Sequence, residues 1–263
     1  MEAHFSGESA GYTAAGDRLR RITPAILLIA LATVCWVVTA RRMQGMDMGP
    51  GTDLGGLGWF AVVWATMMAA MMLPSLVPMA LTYARRSRET GASSPTAATF
   101  VFACSYLVMW VGAGVLAYAV IRGVRSLDLS WLAWDRGGPY VAGGVIVGAA
   151  LYELTPVKST CLRHCRNPES LIRRWRPGFS GALPLGLQHG GFCVGASWAL
   201  MAALFAVGVM NVAWMIVVAV LVAIEKLLPW DRAAIGATAV FVAALGLAVA
   251  LAPDQVPGLT ISG

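Results

Sequence analysis

The chain has 263 residues, of which 58% are hydrophobic and only 12% charged, with a formal net charge of +6. A soluble domain carries roughly 25% charged residues, so this composition excludes an ordinary globule and indicates a polytopic, all-α membrane helical bundle. The basic residues lie in short loops between apolar runs, where they read as topology signals rather than as a nucleic-acid surface.

In chain order, a polar cytoplasmic tail (1–21) precedes a transmembrane helical domain (22–252), and a short tail (253–263) follows. About seven spans are expected, over 22–40, 57–83, 97–121, 140–156, 182–209, 212–228 and 233–252. The first is no obvious cleaved signal, because 21 mostly polar residues precede it and Arg41-Arg42 follow it directly. The 43 residues from Ala182 to Ile224 contain no Asp, Glu, Lys or Arg, about twice what one helix needs to cross a bilayer. Two spans are therefore expected there, broken at Gly208-Val209-Met210-Asn211. With the N-terminus inside, 14 lysines and arginines fall on the cytoplasmic side and 5 outside, which predicts an N-in, C-out orientation.

Candidate chemistry concentrates in one window of 33 residues. It holds Cys161, His164 and Cys165, expected in a cytoplasmic loop after the fourth span, then His189 and Cys193, one turn apart on a face of the fifth. Glu153, Lys158, Glu225 and Lys226 are expected near the same cytoplasmic ends, as secondary polar groups. The second span brings Met67, Met68, Met71 and Met72 to a comparable depth, with Met68 and Met72 as candidate thioether donors.

Thiolate and thioether sulfur select Cu(I), and thiolate with imidazole also suits Zn(II). If the loop folds back on the fifth span, His189 and Cys193 complete a set of four donors. Lys158, Arg163 and Arg166 favour thiolate at the loop pair, and a reducing cytoplasm keeps Cys161 and Cys165 as free thiols. A second soft cluster, Met43, Met46 and Met48, lies in the first outside loop.

Plainer readings stand beside these. Cys35 and Cys104 are assigned to packing, and the methionine run is equally compatible with filling irregular gaps. Glu153 and Glu225 can pair with basic residues at the interface, although intramembrane acids carry a functional default. Arg173-Arg174-Trp175-Arg176 reads as an anionic-lipid anchor, and His4 receives no role. Gly144-xxx-Gly148, Gly186-xxx-Gly190 and Gly191-xxx-Gly195 are expected to let helices approach closely, with the kinked, Pro74- and Pro78-bearing second span as the neighbour of His189 and Cys193. Trp64-Ala-Thr-Met67 and Trp198-Ala-Leu-Met201 form a faint echo in spans of opposite direction, as an inverted repeat would require.

The segments Trp64 to Ser75, Tyr152 to Pro168, Gly186 to Met201, Gly208 to Asn211 and Glu225-Lys226 together resemble the DUF2182 family of predicted metal-binding integral membrane proteins of bacteria. The likeness spans roughly residues 57 to 229 and implies a multi-pass inner-membrane protein with a metal site. The chain departs from the family pattern at Ala196 and Ser197, where two further cysteines often stand before the tryptophan matching Trp198, which thins the ligand set.

The leading expectation is a membrane protein that binds a soft metal, copper rather than zinc, for handling or delivery. The bilayer, and another membrane or metal-handling protein, are its expected partners. A transporter or channel with a polar path, and a structural partner without metal, are the alternatives. No nucleotide-binding glycine loop, nucleophile–base motif or haem attachment pattern is visible, so enzyme chemistry is the weaker reading.

Overall fold

The computed structural model describes residues 5–43, 54–91, 94–127, 136–167, 176, 178–208, 211–228 and 231–256. These residues form eight α-helices and no strand: α1 (Phe5–Met43), α2 (Leu57–Glu89), α3 (Pro95–Ser126), α4 (Gly138–Glu153), α5 (Pro156–Arg166), α6 (Phe179–Val207), α7 (Val212–Leu227) and α8 (Asp231–Leu251). Five are long and apolar enough to cross a membrane: α1 from Leu19, α2, α3, α6 and α8. The two other expected spans are the 16-residue helices α4 and α7, each about 24 Å long against a hydrocarbon core of about 30 Å. His4, Met46, Met48, Arg173, Arg174 and Trp175 lie outside the described residues.

Local chemistry explains the breaks that shape the site. Thr155 precedes Pro156, and the proline ring pushes its neighbour out of the helical region, here to φ −75° and ψ 150°. The chain bends by 65° between α4 and α5 at this point. Thr155 then caps α5, its hydroxyl accepting from the Lys158 amide at 3.3 Å. Asn211 caps α7 in the same manner, accepting from the amides of Ala213 and Trp214 at 2.9 and 3.3 Å. Gly208, at φ 113°, closes α6 in a conformation that L side chains rarely adopt, so the expected break falls in place.

Three expectations need correction. Cys161, His164 and Cys165 are on helix α5, not in an irregular loop. The helix approached by Gly186 and Gly190 of α6 is α3 rather than α2, and Gly195 lies against α5. A Cβ at Gly186 would collide with the Ser105 hydroxyl and the Phe102 carbonyl, and one at Gly190 would lie 2.8 Å from Met109 Cβ. In α4 the close contact is Gly143, whose added Cβ would lie 2.6 Å from the Gly246 carbonyl of α8, whereas Gly144 and Gly148 meet nothing.

The core is continuous through α2, α3, α6 and α7 and holds Met67, Met68, Met71, Met72, Phe102, Tyr106, Cys193 and Met215. Helix α5 lies along α6 and also touches α7, which wedges the candidate site between three helices. The Trp64/Trp198 echo ends in unlike surroundings. Trp64 is buried and donates to the Trp110 carbonyl at 2.8 Å, while Trp198 is 48% exposed and meets Tyr152 edge-on at 4.9 Å.

Candidate metal centre

Helices α6 and α7 run antiparallel, with only residues 208–211 between them. Cys193 lies fourteen residues before Val207 and Lys226 fourteen after Val212, so both sit about 21 Å from that connection and face each other. Lys226 Nζ donates to Cys193 Sγ at 2.6 Å. It also points at Met72 Sδ, 3.8 Å away on α2. Tyr106 Oη, from α3, lies 2.8 Å from the same Cys193 sulfur. The fourth neighbour is Cys165 of α5, whose thiol is close enough to interact with that of Cys193. Cys165 and Cys193 are both buried, and neither is in a disulfide.

The remaining expected donors flank this point. Cys161, one turn before Cys165, lies against the backbone of α6, where its sulfur would be 2.8 Å from a Cβ placed on Gly195. The ring of His164 stacks on Phe192 at 4.4 Å, with Nδ1 2.8 Å from the Thr160 carbonyl of its own helix. His189 is buried one turn before Cys193, its ring tilted against Phe102 and Tyr106 at 5.9 and 5.7 Å. Met68 is fully buried one turn before Met72 on the same face of α2. Cys35 is half-buried against the core, and Cys104 is exposed on α3.

Beside the sulfur cluster lies a set of buried charges. Lys158 is fully buried and forms ion pairs with Glu153 and with Glu225, the latter through both carboxylate oxygens at 2.9 and 2.7 Å. Arg166 donates to the backbone carbonyl of Glu225. The set ties the end of α4, both ends of α5 and the end of α7 together, and so fixes where Cys165 meets Cys193.

Among the described residues, no three of His, Cys, Asp and Glu converge on one point. The donor set that does converge is two thiols and one thioether. A structural zinc site takes four nitrogen, sulfur or oxygen donors, so this set does not fit zinc. Soft sulfur donors suit Cu(I). Sequence reasoning did not find Tyr106. Its signal was the aromatic stripe Phe102, Tyr106 and Trp110 at four-residue spacing, all fully buried along one stripe of α3. The contact between Lys226 and Cys193 was also missed, although counting outward from the break at 208–211 pairs them.

Comparison with curated proteins and with solved structures found no match. A family model described as PpoB2, copper chaperone, matches residues 61–249 and covers every residue of the site. On that match over more than half its length, the chain belongs to this copper chaperone family.

Proposed function

We propose that the chain carries Cu(I) as cargo on the paired sulfurs of Cys165 and Cys193, with Met72 as a third, weaker donor. The supporting observation is the meeting of two buried thiols from separate helices beside a thioether, in a chain of the copper chaperone family. Thiolate is the copper ligand, and the Lys226 ammonium lies 2.6 Å from Cys193 Sγ. Cys161, His164, His189 and Met68 flank the three donors on the helices that carry them and are proposed as secondary donors. Glu153, Lys158 and Glu225 hold those helices in register. The cargo passes to another membrane or metal-handling protein by exchange of sulfur ligands. The DUF2182 resemblance and the copper chaperone match are read as one copper-handling domain. In this reading the chain crosses a bacterial inner membrane seven times, N-in and C-out, with α4 and α7 as its short spans.

Metal analysis of protein purified in mild detergent under reducing conditions, without a histidine tag, tests the proposal. Wild type is expected to hold copper stoichiometrically after controlled loading, and Cys165→Ser/Cys193→Ser to lose it. Equal copper in both, or none in folded wild type, would overturn the assignment.

A transporter reading draws on the bent α4–α5 pair and the buried charges. Lys158, however, is matched by two carboxylates in a closed, fully buried set rather than along an open path. Liposomes containing the protein are therefore expected to show no proton or cation flux above empty controls.

A further inference from the structure

Lysine occurs only twice in 263 residues, as Lys158 and Lys226; the seventeen other basic residues are arginine. Both lysines fall at the same site. An ammonium group is a compact point charge on a flexible stem, whereas a guanidinium is a planar fork suited to bidentate partners. Lys158 is fully buried and held by Glu153 and Glu225. Lys226 differs in that its hydrogen bonds go to sulfur. Its Nζ lies 2.6 Å from Cys193 Sγ and 3.8 Å from Met72 Sδ, and the Cys165 thiol neighbours that same Cys193. A single positive charge therefore stands where the three soft donors converge.

We infer that Lys226 is a resident cation that holds the copper position, and that Cu(I) loads by displacing its ammonium group from Cys193, forming bonds to the Cys193 and Cys165 sulfurs as any thiol proton they carry leaves to water. This rests on the copper-binding reading above. Cu(I) and an ammonium group carry the same charge and compete for the same sulfurs, so Lys226 sets how tightly the cargo is held. A chaperone needs that moderation, because a metal bound without a competitor leaves slowly. The side chain also has somewhere to go. Lys226 is only partly buried and sits in the last turn of α7, where the unpaired carbonyls of a helix end favour a cation.

A competing role makes the opposite prediction. If Lys226 serves only to hold Cys193 as thiolate, removing it weakens copper binding. Cu(I) competition against a chromophoric chelator, on the full chain in mild detergent under reducing conditions, separates the two. Lys226→Gln is expected to bind at least about tenfold more tightly than wild type, as loss of one close like-charge contact implies, and to surrender copper to the chelator more slowly. Unchanged or weaker binding by the variant, with wild type still loading stoichiometrically, overturns the inference alone. No binding by wild type overturns the copper reading itself.

A second measurement needs no variant. Wild type is treated with an amine-acylating reagent before and after loading, and peptides are quantified with Lys158 as the buried internal reference. Modification of Lys226 is expected to rise severalfold on loading; an unchanged yield overturns the displacement.

Discussion

Lys158 is fully buried from bulk solvent and is held by two carboxylates instead. Taking such charges out of water costs several kcal/mol per ion, which only close pairing repays. Lys158→Met strands Glu153 and Glu225 in a buried site and is expected to cost about 3–5 kcal/mol. This would be read as a lowered unfolding midpoint in detergent. Adding Glu153→Gln and Glu225→Gln should recover part of the loss, since the stranded charges are then gone; no recovery would mean that shape, not charge, sets the penalty. At this scale the sequence was partly legible. Acidic residues near the ends of apolar runs announced that they needed basic partners, and Glu153 lies only five residues from Lys158. The partner of Glu225 is 67 residues away, and no local pattern carries that pairing. His164 and Cys161 show the limit from the other side. Their spacing beside Cys165 suggested one ligand set, but a turn of α5 also carries them along its axis, so that Cys161 meets Gly195 and His164 stacks on Phe192 while Cys165 meets Cys193.

The elements meet through glycine, and only some glycines matter. Gly186 and Gly190 let α6 close on the α3 stripe that carries Tyr106, and Gly143 and Gly246 do the same for α4 and α8. Gly186→Ala would drive a methyl group into Ser105 and the Phe102 carbonyl, and overpacking of this kind costs about 1–3 kcal/mol. It would also move Cys193 away from Tyr106, because both sit on the helices being forced apart. Gly144→Ala and Gly148→Ala meet open space and should be neutral. Unfolding midpoints and copper content of the three variants check this, and equal loss at Gly144 would refute the packing described. The small-xxx-small pattern was visible in the sequence for both helices. In α6 it gave the right residues and the wrong partner, and in α4 it was out by one position. Glycines at 143, 144 and 148 offer two overlapping faces, and the face chosen depends on where α8 lies, which α4 does not encode.

The arrangement of the whole molecule decides from which side the cargo enters. The turn between α6 and α7 lies about 21 Å from both Cys193 and Lys226. In the proposed N-in orientation that turn is outside, and a core about 30 Å thick then leaves the sulfurs roughly 9 Å from the cytoplasmic boundary. Helix α5, short and rich in polar residues, lies against this half of α6 and carries Cys161, the half-buried thiol of the cluster. Loading from a reducing cytoplasm suits Cu(I) and free thiols. The orientation itself rests on the bias of lysine and arginine between loops, which makes it testable apart from copper. In a Cys35→Ser/Cys104→Ser/Cys165→Ser/Cys193→Ser background, a membrane-impermeant maleimide is expected to label Cys161 in inside-out vesicles and to leave it untouched in right-side-out ones. The reverse pattern would turn the site toward an oxidising compartment. There a Cys165–Cys193 pair is exposed to disulfide formation, and a cargo site built on two thiols would need a reductant to stay competent.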